Sequence, residues 1–185
     1  MRKTLREILI SSLALMIIAG VVTAALAGTN ALTEGTIAKQ TAEIENAARK
    51  EVISADVFEK AKISLDGEEV LYYIAKKNGA VVGYVFTATA TGKSSGLTVM
   101  TGIGVDGKIT GVVITDDNET AGYVDKVIKG GFLDKLVAGD ANNKVVLSED
   151  IDAVSQATKT SSGVCKAVNQ AIAWYKQVKG GAAGE

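Results

Sequence analysis

The first long apolar stretch, "ILISSLALMIIAGVVTAALA" from Ile8 to Ala27, contains no charged residue. An apolar helix of about 20 residues at 1.5 Å rise covers a bilayer core of roughly 30 Å, so this stretch predicts a membrane span. Beyond it, Leu32, Ile37, Ile44, Ala48 and Val52 recur at helical spacing among Glu, Lys and Gln, which predicts a helix over 31–53 that continues from the membrane. From Glu69 onward the period changes. "EVLYYIAKK" and "AVVGYVFTATA", joined by Asn78-Gly79, are followed by "LTVMTGIGV" and "KITGVVITDD", joined by Asp106-Gly107. Each pair is rich in β-branched or aromatic residues around a turn dipeptide and predicts a hairpin, giving at least four antiparallel strands. Helical patterning returns at Val124–Val137 and Ser162–Val178, with "KVVL" at 144–147 as an expected last strand between them. On the final helix Val164, Val168, Ala171, Ile172, Tyr175 and Val178 share one face, which is expected to lie on the sheet. This order of elements predicts an α+β fold with an antiparallel sheet and flanking helices. The expected organisation is a cytoplasmic N-terminus and transmembrane helix over 1–28, a membrane-proximal helical connector over 29–58, a globular domain over 59–179 and a flexible tail over 180–185.

Charge adds an orientation. Arg2, Lys3 and Arg6 precede the span and only Glu34 follows it closely, so the N-terminus is expected in the cytoplasm and the globular domain on the outer face of the cell membrane. "ALAG" supplies small residues of the kind found at a signal-peptide cleavage site, but the apolar run exceeds a usual signal h-region, and a retained single-pass anchor is the expectation.

Composition then removes function classes. A formal charge of −1, with both signs interspersed, carries no footprint for a nucleic-acid partner. With no histidine and a single cysteine, Cys165, the chain cannot build a Ser-His-Asp triad, a four-cysteine zinc site, its own iron–sulfur cluster or an internal disulfide. No metal site is expected, and demanding chemistry must come from a borrowed cofactor. Cys165 reads as a small, partly buried apolar residue rather than a ligand.

The segment "DAVSQATKTSSGVCKAV", residues 152–168, is dense in hydroxyls just ahead of a helical pattern. Such hydroxyls serve as an N-cap, here Ser161 or Ser162, or satisfy loop backbone groups, here from Ser155, Thr158 and Thr160; a helix N-terminus also favours a phosphate. The spacing Asp152, Ser155, Ala157, Thr158 resembles the flavinylation motif of an FMN-binding domain family. That family is shared by the G subunit of the Rnf complex (ferredoxin:NAD oxidoreductase) and the C subunit of the sodium-pumping NADH:quinone oxidoreductase. Gln156 stands where the family usually has glycine, and glycine suits a φ that glutamine tolerates poorly. Upstream, "GKITGVVITDDNETAGYVDKV", residues 107–127, resembles the family's strand followed by Glu-Thr-Pro-Gly-Leu-Gly, here Glu119-Thr120-Ala121-Gly122-Tyr123-Val124. Taken alone, that loop reads as a strand-to-helix connection capped by Thr120.

The resemblance spans most of the chain, and its short length favours the Rnf member of the family. It implies FMN joined through its phosphate to Thr158 by a flavin transferase, in a site comprising Asp152, Ser155, Ala157, Lys159, Thr160 and Ser161. Glu119, Thr120 and Gly122 would lie in the loop against the isoalloxazine ring. Tyr123 either stacks there or packs locally. Lys159 either offsets phosphate charge or is a solvated lysine. The implied role is an electron relay within an ion-translocating ferredoxin:NAD oxidoreductase, partnered by other membrane and redox subunits and by the lipid bilayer, and not a complete enzyme alone. Ser11, Ser12 and Thr23 are the only polar groups of the span and offer no ion path. Two readings compete: an anchored scaffold protein whose motif stays unflavinylated, and an anchored flavin reductase acting alone.

Overall fold

A computed structural model describes residues 2–65 and 67–181. The chain divides into an N-terminal unit, residues 1–44, and a second unit, residues 45–185. The N-terminal unit belongs to α1 (Arg2–Val52), one continuous helix that covers both the expected span and its expected continuation. Ile10, Leu13, Leu15, Met16, Ile17 and Ile18 each leave more than half of their surface exposed, between 57% and 70%. Apolar side chains exposed on every side of a helix suit lipid rather than water, and this is the one helix among the described residues long and apolar enough to cross a membrane.

The second unit is an antiparallel meander of five strands in the order β1-β2-β3-β4-β5. They are β1 (Val57–Leu65), β2 (Glu68–Lys77), β3 (Ala80–Ala90), β4 (Ser95–Gly104) and β5 (Ile109–Asn118). The last four are the predicted hairpins. Asn78 and Gly79 both have positive φ, 51° and 79°, as a two-residue hairpin turn requires. β1 is an addition to the predicted strands, because its run "VFEKAKISL" has charges between its apolar residues and is mostly exposed. It forms by pairing along β2, where Lys62 meets Glu69 at 2.6 Å and Lys76 meets Glu59 at 2.7 Å. Such exposed pairs add little to stability, and the lysines also discourage further pairing at this edge.

Alternation along the strands divides the core in two. Phe86, Ala88, Leu97, Val99 and Ile103 face α4 (Thr158–Gly181), whose predicted apolar face, Val164 through Val178, is buried as expected. Val85, Met100 and Ala75 face the end of α1, packing with Ala48, Val52 and Ile53. The α1 end sits directly on backbone. A Cβ added to Gly111 would lie 2.6 Å from Val52 Cα, and one on Gly102 would lie 2.5 Å from the Val52 carbonyl oxygen, which also accepts from Thr110 Oγ1 at 2.6 Å.

Three elements differ from the sequence-based expectation. The single helix over 124–137 is two short ones, α2 (Tyr123–Lys129) and α3 (Phe132–Leu136), parted at Gly130-Gly131 where Gly131 takes φ 62°. "KVVL" is not a strand. The Asn169 side chain of α4 takes both backbone groups of Val145, at 2.8 Å each, and Val146 N–H donates to Asp150 Oδ2 at 2.6 Å, so no ladder is left to form. The final helix starts four residues before Ser162, at Thr158, so neither Ser161 nor Ser162 is its N-cap.

Candidate functional site

Three segments converge at the start of α4: the β3–β4 turn (91–94), the β5–α2 connection (119–122) and the loop 152–157. Their first contact is backbone on backbone. A Cβ on Gly163 would lie 2.9 Å from Gly92 Cα, so the β3–β4 turn rests on α4 where that helix has no side chain. Between these segments opens a cleft of ≈ 280 Å³ lined by Lys93, Tyr123, Gln156, Ala157, Thr158 and Lys159.

The helix start determines which groups face the cleft. Ser161 N–H donates to the Ala157 carbonyl at 2.9 Å, the first bond of the α4 ladder, so the amides of Thr158, Lys159 and Thr160 lie outside that ladder. At about 100° per residue, Thr158 and Thr160 point to opposite sides. Thr158 is exposed on the cleft, whereas Thr160 is fully buried and donates its hydroxyl to Glu119 Oε2 at 3.0 Å. Ser161 is buried too, its Oγ accepting Val154 N–H at 3.2 Å. The structure therefore gathers Thr158, Lys159, Ala157 and Tyr123 around one cleft and turns Thr160 and Ser161 away from it. Asp152 and Ser155 lie exposed on the approach loop.

Gln156 occupies a left-handed backbone conformation, φ 64°. That is the conformation for which glycine is suited, and a non-glycine residue there costs about 1 kcal/mol. Its side chain is held by Lys126, whose Nζ donates to Oε1 at 2.9 Å.

In the 119–123 segment, Thr120 pairs with Ser94 through their hydroxyls at 2.8 Å. Gly122, not Thr120, caps α2, with φ 83° and no side-chain cap bond, so the residue is needed for its backbone conformation; a Cβ there would meet nothing within 4 Å. Tyr123 follows, with the Lys93 ammonium 3.7 Å from its ring centroid and that of Lys126 at 5.3 Å. Lys93 foremost, with Lys126 adding to it, holds the Tyr123 hydroxyl below the ordinary phenol range. Glu119 is committed elsewhere, accepting Lys93 N–H at 3.0 Å and Ser94 N–H at 3.1 Å besides Thr160.

The cleft thus has an exposed hydroxyl at a helix start, helical amides outside the ladder, three lysines within or beside it and one aromatic ring. These groups fit a phosphoester of an aromatic ligand such as FMN. A larger recess of ≈ 420 Å³ is lined by Glu45, Glu68 and Glu69 along with Tyr73 and Trp174, and its carboxylates oppose a phosphate. Lys93 and Lys126 are not among the sequence candidates. Lys93 stands in "TGKSSG", a glycine- and serine-rich turn, but Lys126 gives no signal because its partner Gln156 lies 30 residues away. Cys165 is buried more completely than expected, its thiol pushed up to about 11 by burial and then by Asp150, so it stays protonated at neutral pH.

Comparison with known proteins identifies the family. Residues 1–52 match the family described as RnfG N-terminal region, and residues 92–173 match the FMN-binding domain. The chain is 35% identical, over 90% of both sequences, to the G subunit of the Na(+)-translocating ferredoxin:NAD(+) oxidoreductase complex of Acetobacterium woodii. It is 30% identical to the G subunit of the ion-translocating oxidoreductase complex of Aliivibrio fischeri, over 90% of this chain and 89% of the relative. To the G subunit of the proton-translocating ferredoxin:NAD(+) oxidoreductase complex of Clostridium ljungdahlii it is 26% identical, over 81% and 82%.

Proposed function

The chain belongs to the RnfG family of ion-translocating Rnf complexes and carries that family's FMN-binding domain, and from that premise we propose that it is a membrane-anchored electron-transfer flavoprotein whose FMN is attached through its phosphate to Thr158. Bound FMN supplies the capacity to accept and release electrons. The observation that carries the attachment is the placement of Thr158, an exposed threonine at a helix start facing a cleft with Lys93, Lys159 and an aromatic ring.

The residues divide the work. Thr158 Oγ would carry the phosphate: its O–H bond and the P–O bond to the leaving group of the transferase's flavin donor would break as the Oγ–P bond forms, the proton going to that leaving group, so that the product equals protein plus FMN less one water. Lys159, Lys93 and the first-turn amides offset the phosphate charge. Tyr123 offers a flat apolar surface to the ring. The chain needs no general base for attachment, since a flavin transferase performs that step, and the absence of histidine is no obstacle. A tether also keeps the flavin at an effective concentration of about millimolar or more, without demanding tight non-covalent binding. The N-terminal basic residues support an orientation with the domain on the outer face, where a lost flavin is hard to replace. Electrons pass between neighbouring redox subunits, whose contacts with this domain complete the activity.

The test is peptide mass spectrometry on the chain purified from its own membrane, looking for FMN less one water on the peptide carrying Thr158. An unmodified peptide from cells that flavinylate other proteins would leave an anchored scaffold protein as the reading.

A further inference from the structure

We propose that Glu119 is a positioning residue: its carboxylate fastens the β3–β4 turn and the β5–α2 connection to the first turn of α4, and so holds Thr158 in the orientation that attachment requires. The proposal rests on the reading of Thr158 as the anchor and adds to it a residue that does not touch the flavin. Both carboxylate oxygens are occupied by protein donors. Oε2 accepts Lys93 N–H and Thr160 Oγ1–H, each at 3.0 Å, and Oε1 accepts Ser94 N–H at 3.1 Å. Charge-assisted bonds of this kind are about twice as strong as neutral ones.

Helix rotation links the carboxylate to the anchor. Thr160 lies two residues after Thr158, so a bond that holds Thr160 inward against Glu119 turns Thr158 outward to the cleft. The same carboxylate fixes the backbone of Lys93, whose ammonium reaches over Tyr123, another residue lining that cleft. Gly92 is part of the device. A Cβ added there would meet Glu119 Oε1 at 2.6 Å and its Cδ at 2.9 Å, so this turn accepts the carboxylate because it has no side chain at that point.

Two variants break the link from its two ends, Glu119→Gln by placing an amide NH₂ against the donors and Gly92→Ala by displacing the carboxylate. The full chain is expressed with its flavin transferase, and the ratio of flavinylated to unmodified Thr158 peptide is measured in membranes. Each variant is expected to lower that ratio roughly tenfold, and Glu119→Gln combined with Thr160→Val should lose no more than Glu119→Gln alone, because both cut one connection. A destabilised control, Val85→Ala, thins the opposite core and should keep wild-type flavin content. Wild-type occupancy in both Glu119→Gln and Gly92→Ala would overturn the proposal, as would an equal loss in Val85→Ala. Should Glu119→Gln fail to fold, Gly92→Ala decides. An unmodified wild-type chain would instead overturn the reading of Thr158 itself.

Discussion

The outward side of the α4 start, Thr158 and Lys159, and its inward side, Thr160 and Ser161, each carry a threonine hydroxyl but meet different surroundings. Thr158 and Lys159 are exposed on the cleft, while Thr160 and Ser161 have no exposed surface and hold the β5–α2 connection and the 152–157 loop in place. Helix geometry assigns these roles: two residues along, a side chain faces the other way. In a run of hydroxyls, then, one threonine can be the reactive group and its near neighbour part of the support.

The largest test of that contrast is Thr158→Val. Covalent flavin should vanish completely while stability stays within about 0.5 kcal/mol of wild type, as for other exposed substitutions; in-gel flavin fluorescence and thermal unfolding measure the two. Thr160→Val should reverse the profile in part. Removing a buried donor to a carboxylate should cost about 1–2 kcal/mol in chemical denaturation, with flavin content lowered but not abolished. Equal behaviour of the two variants would dissolve the distinction between the sides.

Smaller effects sharpen it. Gln156→Gly relieves a left-handed φ of 64° beside Thr158 and should raise the unfolding temperature by roughly 1–3 °C, since about 1 kcal/mol of backbone strain exceeds an exposed hydrogen bond from Lys126. A fall in unfolding temperature would mean that the Lys126 contact matters more than the strain. The smallest expected effect is electrostatic. Lys93→Gln should move the Tyr123 ionisation upward, read as phenolate absorbance against a Tyr123→Phe reference, because Lys93 is the main cause of its lowering. The sign follows from linkage. A lowered folded-state value contributes stability above the ordinary phenol range and loses it as pH falls through the lowered value, so the stability that Lys93→Gln removes through this ionisation is lost in alkali, on top of the pH-independent loss of the cation–π contact.

Much of the scaffold is legible in the pattern. The apolar run of 8–27, the two hairpins with Asn78-Gly79 and Asp106-Gly107, and the buried face of α4 all follow from periodicities of two or 3.6 residues and from turn chemistry. β1 is hidden because an edge strand with charges along it has no clean alternation, and its identity depends on pairing with β2. "KVVL" misleads for the converse reason: its composition is that of a strand, but Asn169 of α4 takes the backbone groups a ladder would need.

At the site the division is finer. The spacing Asp152, Ser155, Ala157, Thr158 and the core Glu119-Thr120-x-Gly122 are readable as motifs, and glutamine in place of glycine at 156 points to the position that proves left-handed. What the residues fix locally is whether a segment is apolar, periodic or turn-forming, because those preferences act between neighbours along the chain. Which hydroxyl faces the cleft and where the Glu119 carboxylate goes depend on partners 25 to 41 residues apart, as in Ser94 with Glu119 and Thr160 with Glu119. Only the folded sheet, with α4 laid across it, brings such groups within hydrogen-bonding distance, so that part of the protein was decided by tertiary structure.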